Sequence, residues 1–142
     1  MIRTHIMVHH SLTKDSGTVS WSAIERFHRE TQGWHDIGYH AGVELTNDGV
    51  VALLGRDWMQ QAAACPQGEM NRRAMHVCVV GNYDLVAPSE EHYRVLVERV
   101  ILPWRKLFGL PQDAIVGHRD YNSGKTCPGT LFDLNALRGM AR

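Results

Sequence analysis

The sequence lacks any excess of charge of one sign and any long apolar run. Fifteen basic and fifteen acidic side chains cancel to a formal net charge of zero over 142 residues. Such a balance gives no overall attraction to nucleic acid or anionic lipid, so we expect no nucleic-acid partner. No apolar run approaches the ~18 residues that a membrane-spanning helix needs, so we expect no membrane insertion. The search for a function is thereby directed to a local site.

Cysteine is also scarce. Cys65, Cys78 and Cys127 are the only three, an odd number without close spacing, which argues against a disulfide framework. Histidine, in contrast, occurs nine times, which is more than a chain of this size ordinarily carries. That excess is a first indication of metal or proton chemistry.

Internal repeats, low-complexity tracts and linker-like stretches are absent as well. We therefore expect one domain over residues 1–142. We also expect a monomer. The segment after Met1 lacks the apolar stretch of a secretory signal, so we expect synthesis in the cytoplasm.

Hydrophobic periodicity predicts the element order β, α, β, β, β, α, β, α. This order is typical of the α/β class, with a mixed, mostly five-stranded sheet flanked by helices. A turn at Asn47-Asp48-Gly49 predicts a hairpin between the second and third strands. The predicted strands are 4–9, 39–45, 50–54, 76–81 and 114–116.

Cap residues and apolar stripes predict three helices. Ser20 caps a first helix in which Ile24, Phe27 and Thr31 share one face and which Gly33 ends.

The longest helix begins after Ser89 and ends at Gly109, with a kink expected at Pro103, and Thr130 with Asp133 three residues later begins a short final helix. The segments 11–17 and 60–73 have the composition of loops.

Three donor residues form a candidate metal site. His118 and Cys127 are nine residues apart in a polar segment that can fold back on itself, and His9 ends the first predicted strand. Catalytic zinc typically takes three protein ligands and keeps a fourth position open. A lone histidine is more often solvated, and a lone cysteine is more often a small buried hydrophobe. We adopt that second interpretation for Cys78 and Cys65.

Cys127 differs from the other two cysteines because it follows a polar loop and precedes Pro128-Gly129, where there is no core to fill. A structural zinc site would need four protein ligands, and only three candidates are present.

Five fragments in sequence order resemble one known family. They are Val8-His9-His10-Ser11; Gly33-Trp34 with Asp36-Ile37-Gly38-Tyr39-His40; Asn47-Asp48-Gly49 with Gly55-Arg56; Cys78-Val79-Val80-Gly81-Asn82-Tyr83-Asp84; and Gly117-His118-Arg119-Asp120 with Lys125-Thr126-Cys127-Pro128-Gly129. The family is that of the type 2 N-acetylmuramoyl-L-alanine amidases, which includes the bacteriophage T7 lysozyme and the peptidoglycan recognition proteins. The resemblance extends over about the whole chain.

This resemblance implies one zinc ion per chain, held by His9, His118 and Cys127. It implies hydrolysis of the amide between N-acetylmuramic acid and L-alanine in peptidoglycan, with water activated by the metal. The family's active-site tyrosine falls on Tyr39, and the lysine of its phage members falls on Lys125. We expect Lys125 to stabilise the oxyanion and Tyr39 to orient water or shuttle its proton.

Alternatives remain open beside this interpretation. Tyr39 could be a core aromatic and Lys125 a solvated loop residue. The chain could be a phage or prophage endolysin that acts on the wall after release, a cytosolic amidase that recycles muropeptides, or a peptidoglycan-binding module without catalysis. The sequence departs from the family pattern at 64–71 and at Ala74-Met75-His76, where larger residues replace small ones, so the residues of the substrate groove in that segment stay open.

Overall fold

A mixed five-stranded sheet forms the centre of the molecule. In this computed structural model, which describes residues 1–13 and 20–142, the strand order is β3-β2-β4-β1-β5. The α/β architecture expected from the sequence is thus confirmed. The strands are β1 (His5–His10), β2 (Ala41–Thr46), β3 (Gly49–Leu54), β4 (Ala74–Val79) and β5 (Ile115–Gly117).

Strand β1 lies in the middle of the parallel part of the sheet. It pairs in parallel with β4 on one side and with β5 on the other, and β4 pairs in parallel with β2. Because parallel strands end at the same edge, the residues at the carboxyl ends of β1 and β5 lie close together. The candidate ligands His9 and His118 occupy this edge.

The predicted hairpin is confirmed. Strands β2 and β3 pair antiparallel, with Thr46 opposite Gly49. The Thr46 hydroxyl accepts a hydrogen bond from the backbone N–H of Asp48 at 3.2 Å and donates one to the Gly49 carbonyl at 2.8 Å. Gly49 adopts φ 102°, a backbone conformation that residues with a Cβ rarely take.

The first helix begins as predicted and buries a different face. Ser20 caps α1 (Trp21–Arg26) by accepting a hydrogen bond from the N–H of Ala23. A π-helical turn, Phe27–Thr31, follows directly and shifts the residues that point inward. Trp21 and His28 are buried, whereas Phe27 is 49% exposed, so the predicted apolar face is wrong.

The composition of segment 60–73 predicts a loop, but part of this segment is helical. A 3₁₀ turn, Gln67–Glu69, leads into α2 (Met70–Arg73). An element this short carries no helical period that a sequence pattern could reveal. The Asn71 side chain accepts hydrogen bonds from the N–H groups of Ala64 and Cys65, both at 2.7 Å, and holds the preceding chain in place. The other predicted loop, 11–17, lies in part outside the described residues.

The long helix is built in three parts. Helix α3 (Glu90–Leu96), capped by Ser89, continues through a π-helical turn, Val97–Ile101, into α4 (Leu102–Phe108). Pro103 has no N–H to donate, and the widened turn ends at Ile101, two residues before it.

The last helix, α5 (Leu134–Met140), is capped by Asp133, whose carboxylate accepts from the N–H of Ala136 at 2.9 Å. The predicted start at Thr130 is wrong because the Thr130 N–H binds Asp84 instead, at 2.8 Å.

The two faces of the sheet are packed differently. One face, with Ile6, Val8, Val77 and Val79, forms the main apolar core together with α3 and α4. The other carries two small apolar clusters and, between them, polar groups such as His9. Within the residues that the structure describes, no helix is long and apolar enough to cross a membrane.

Candidate metal centre

Three donors converge at the carboxyl edge of the sheet. One ligand atom each from His9, His118 and Cys127 lie within 4.8 Å of one another, and all three residues are buried. The register explains this proximity: Val8 pairs with Gly117, so the next residue of each chain segment, His9 and His118, are neighbours. The ring centroids of the two histidines are 4.9 Å apart.

Cys127 reaches the site through the loop that follows β5. The N–H of Arg119 donates to the carbonyl of Cys127 at 2.8 Å, which closes the loop on itself. The backbone N–H of His10 donates to the Cys127 sulfur at 3.3 Å. The Thr126 hydroxyl donates to Asp84 at 2.8 Å and ties the loop to the segment after β4. The thiol is thereby held 3.6 Å from Nδ1 of His9.

The chemistry of this donor set fits a zinc ion. Nε2 of His118 is buried and has no hydrogen-bond partner among the described residues, which is costly unless a ligand occupies that direction. Burial lowers the pKa of His118 and, with the neighbouring histidines, places that of His9 well below its ordinary value. Both imidazoles are therefore neutral near pH 7, as metal ligation requires.

The thiol completes the set. Burial raises the pKa of Cys127 to about 12. The thiol therefore ionises at neutral pH only if a cation such as a metal ion lies next to it. Two neutral imidazoles and one thiolate make three protein ligands, the number with which catalytic zinc keeps a fourth position open for water or substrate.

Tyr39 lies beside this centre. Its ring centroid is 5.2 Å from that of His9, and the side chain stays partly exposed. Burial around the hydroxyl, followed by the Cys78 and Cys127 thiols, raises the pKa of Tyr39 well above its ordinary value. The phenol therefore keeps its proton at neutral pH and can act as an O–H donor.

Lys125 is exposed on the loop between the two later donors. The backbone N–H of Lys125 donates to the carbonyl of Asn122 at 3.0 Å, and this hydrogen bond shapes the turn before Cys127. Burial is the main cause that lowers the pKa of His118, and the Lys125 ammonium lowers it further. At Cys127 burial, the largest effect, raises the pKa, while the backbone N–H of His10 and the Lys125 ammonium oppose it. A positive charge therefore acts on the site from the solvent side.

A groove lies next to Tyr39, beside the candidate metal centre. Its volume is about 360 Å³, within the range of small-molecule sites. His28 forms part of its wall, 5.7 Å from Tyr39 between ring centroids, and accepts the N–H of Gly38 at 2.9 Å. The lining residues are Ser11, Thr13, Ala23, Ile24, Phe27, His28 and Tyr39.

Other residues of the motifs have structural contacts. His10, which adjoins His9, accepts the N–H of Tyr83 on Nδ1 at 3.1 Å and is not part of the donor cluster. Arg119 donates to the carbonyls of Gly129 and Phe132, at 2.6 Å and 3.3 Å.

Asp120 accepts the N–H of Gly117 at 2.8 Å. Arg119 and Asp120 thus build the loop. Cys65 and Cys78 are fully buried in the two small apolar clusters, and all three cysteines are free thiols.

Two buried histidines of the site were not found by sequence reasoning. The sequence pattern indicates no role for His28 and places His76 in an apolar strand, whereas in the structure Nδ1 of His76 lies 2.8 Å from Nε2 of His9. One signal in the sequence could have pointed to His76. Alternation along a strand puts Met7 and His9 on one face of β1, and His76 and Cys78 on one face of β4. That these two faces coincide follows only from the register of the two strands.

Comparison with known proteins identifies the family. The model of the family described as N-acetylmuramoyl-L-alanine amidase matches residues 2–130. The chain belongs to this family. A human N-acetylmuramoyl-L-alanine amidase is 40% identical over 116 residues, which cover 79% of this chain and 19% of that protein. The endolysin of Escherichia phage T7 is 40% identical over 79 residues, covering 56% of this amidase-family chain and 48% of the endolysin.

Solved structures share the amidase-family fold. The N-acetylmuramoyl-L-alanine amidase LysC from Clostridium intestinale has a TM-score of 0.81 at 19% identity, covering 96% of this chain and 83% of LysC. The peptidoglycan recognition protein-LE, in complex with tracheal cytotoxin, a monomeric diaminopimelic acid-type peptidoglycan, has a TM-score of 0.72 at 20% identity over 89% of this chain and 74% of its own. The chain spans about a fifth of the human relative and about half of the phage relative.

Proposed function

We propose that this chain is a zinc-dependent amidase that hydrolyses the amide between N-acetylmuramic acid and the L-alanine of the peptidoglycan stem peptide. The observation that carries the proposal is the convergence of His9, His118 and Cys127 within 4.8 Å in a chain of the amidase family. Names of relatives support the reaction, and the complex of a structural neighbour with a peptidoglycan fragment supports the substrate class.

His9, His118 and Cys127 would hold the metal. When bound, a zinc ion supplies a Lewis acid that polarises a carbonyl and lowers the pKa of water. The remaining chemistry falls to the chain's own side chains. The Lys125 ammonium stabilises the negative charge that develops on the scissile carbonyl oxygen, because its charge already acts on two of the ligands.

Tyr39 holds its proton at neutral pH and donates a hydrogen bond at the reacting centre, where it orients the attacking water or the substrate. The groove beside Tyr39 binds a segment of the substrate. Its wall combines apolar atoms of Ile24 and Phe27 with the polar groups of Ser11 and His28, which suits a ligand with both sugar and peptide parts.

The experiment is incubation with purified peptidoglycan and with soluble anhydro-muropeptides, followed by mass spectrometry. The proposal predicts free stem peptides that begin with L-alanine and sugars that keep the lactyl carboxylate. Cys127→Ser is the control, which should keep the fold and lose the products. Cleavage between sugars, cleavage inside the stem peptide or equal activity of Cys127→Ser would contradict the proposal.

The same experiment distinguishes two biological roles. We propose an endolysin that acts on the wall, since the endolysins of phages T7 and T3 are 40% and 39% identical over 79 residues. An endolysin releases peptides from intact peptidoglycan, whereas a recycling amidase acts on the soluble muropeptides and leaves intact peptidoglycan uncut. The recycling role is the alternative that this comparison tests.

A further inference from the structure

A line of buried hydrogen bonds leads away from the candidate metal centre. Nε2 of His9 lies 2.8 Å from Nδ1 of His76, and Nε2 of His76 lies 2.7 Å from the carbonyl oxygen of Met70. His9 is 1% exposed and His76 is 0% exposed, so these contacts are out of reach of solvent. The two rings are close to coplanar and meet edge to edge, with centroids 5.1 Å apart and an interplanar angle of 26°.

The Met70 carbonyl determines which ring nitrogen of His76, and then of His9, carries the proton. A carbonyl oxygen only accepts, so Nε2 of His76 must carry the proton that it shares with Met70. His76 is neutral because its ring is 0% exposed and its two nitrogens meet only the His9 ring and the Met70 carbonyl, so no acidic group compensates a buried positive charge. Its Nδ1 is therefore an acceptor. His9 must then donate from Nε2, which leaves its Nδ1 without a proton. That Nδ1 is the atom 3.6 Å from the Cys127 sulfur.

We propose that His76 is a positioning residue that fixes the proton of His9 on Nε2 and so presents the bare Nδ1 of His9 to the metal. The inference rests on the proposed zinc centre. His76 itself would not contact the ion. It acts through His9, because a partner that accepts the second N–H of a ligating histidine sets its tautomer and orientation and raises its basicity.

The surroundings of His76 hold its ring in this position. His76 belongs to β4, which lies between β1 and β2, and it is paired with Met7 of β1. The backbone N–H of His76 donates to Nδ1 of His40 at 3.0 Å, and its carbonyl accepts the N–H of His40 at 2.9 Å. Met70, which supplies the terminal carbonyl, is completely buried in one of the small apolar clusters.

The segment Ala74-Met75-His76 is one of the places where the sequence departs from the pattern of its family. The structure gives this departure a specific consequence, since the imidazole at 76 is the group that contacts a candidate ligand. Loss of such an outer partner typically weakens metal binding by about 10- to 100-fold.

The first test is the tautomer of His9 in zinc-free protein, read from long-range ¹H–¹⁵N correlations, with His9→Gln used to assign the signals. The expected result is a protonated Nε2 and an unprotonated Nδ1 on both His9 and His76. In His76→Phe, which keeps a ring and loses the acceptor, His9 should show a mixture of tautomers or the opposite one. A protonated Nδ1 on His9 in the wild-type protein would overturn the proposal.

The second test is the zinc dissociation constant, measured by competition with a chelating dye. His76→Phe should bind zinc ~10- to 100-fold more weakly, whereas His76→Gln should stay within a few-fold of wild type, because its amide oxygen can accept from His9. His92→Phe, the same change at a buried histidine of α3, is the matched control and should bind zinc as the wild type does.

Three outcomes of these measurements are decisive against the idea. Wild-type zinc affinity in a folded His76→Phe variant would overturn the role of His76. Equal losses in His76→Phe and His76→Gln would mean that the site needs only the shape of the imidazole, which also overturns the role. Absence of zinc binding by the wild-type protein would overturn the metal centre itself. It would also overturn the proposal that His9 offers its Nδ1 to a metal, even if the expected tautomer were observed.

Discussion

At the scale of single residues, the exposed position of Lys125 raises the question of whether its charge acts on the reaction. The ammonium lowers the pKa of two buried candidate ligands, so it is close enough to act on charge at the site. Lys125→Ala should lower turnover by roughly a hundred- to a thousandfold, the usual loss for one group aimed at a developing oxyanion. Zinc content should be unchanged, because Lys125 does not hold the metal.

The measurement is the rate of peptide release together with metal analysis of the same sample. Lys106→Ala, at an exposed lysine of α4, is the matched control and should behave as wild type. A Lys125→Ala variant with the rate of this control would leave Lys125 as a solvated loop residue, which was the alternative interpretation of the sequence.

Tyr39 raises a different question, since its ring packs against His9 and its hydroxyl is buried beside the Cys78 and Cys127 thiols. Tyr39→Phe keeps the ring, which contacts His9 and Trp21 at 5.2 Å and 6.2 Å between centroids, and deletes only the oxygen. We expect turnover to fall by about a hundredfold or more and zinc content to stay near that of the wild type.

Tyr93→Phe, which removes a hydroxyl on the main-core side, serves as the control for Tyr39→Phe and should keep its turnover. If Tyr39→Phe cleaves peptidoglycan as fast as Tyr93→Phe, the residue contributes by packing alone.

The candidate ligands could be named from the sequence, and their outer partners could not. His9, His118 and Cys127 stand in motifs, at a strand end and in a polar loop where no core has to be filled. His76 lies within an apolar run, and its relation to His9 depends on the pairing of Met7 with His76, which no local pattern records. A register between distant strands is a tertiary property.

At the scale of elements, the buried side chain of His40, just before β2, makes the stability of the fold depend on pH. Burial, the main effect, lowers the pKa of His40 to about 4 from its ordinary 6.5, and the nearby Arg3 and Arg56 charges add to this. The unfolded chain therefore binds more protons than the folded chain between these two values. The free energy of unfolding should fall as the pH drops through this window, by up to about 1.4 kcal/mol per pH unit for this group.

Urea unfolding of zinc-free protein at several pH values between 4 and 6.5 measures this slope. His40→Gln, which can still donate to the carbonyl of Gln60, removes the titrating ring. Its slope should be smaller than that of the wild type by up to about 1.4 kcal/mol per pH unit. Equal slopes would mean that His40 does not titrate between the folded and unfolded states.

The elements themselves were predictable where a local signal was strong. The turn at Asn47-Asp48-Gly49 gave the hairpin, and Ser20 and Ser89 gave the starts of two helices. The prediction failed where local signals compete or are too short. A π-helical turn moved the inward face of the first helix, and α2 spans a single turn.

At the scale of the whole molecule, the sheet separates stability from function. The main apolar core fills one face together with the long helix, while the donors, Tyr39 and the groove lie on the opposite face and at the carboxyl edge. Because β1 is central, a residue near its end is supported on both sides by paired strands. A rigid support of this kind keeps catalytic groups in position.

The most direct test of the account is metal reconstitution of the amidase reaction. The purified protein is treated with phenanthroline, freed of chelator and titrated with zinc while peptide release from peptidoglycan is followed by mass spectrometry. The account predicts that activity disappears on chelation, returns on addition of zinc and reaches its plateau at one zinc per chain, with no recovery in Cys127→Ser. Amidase activity that survives complete removal of the metal would contradict it.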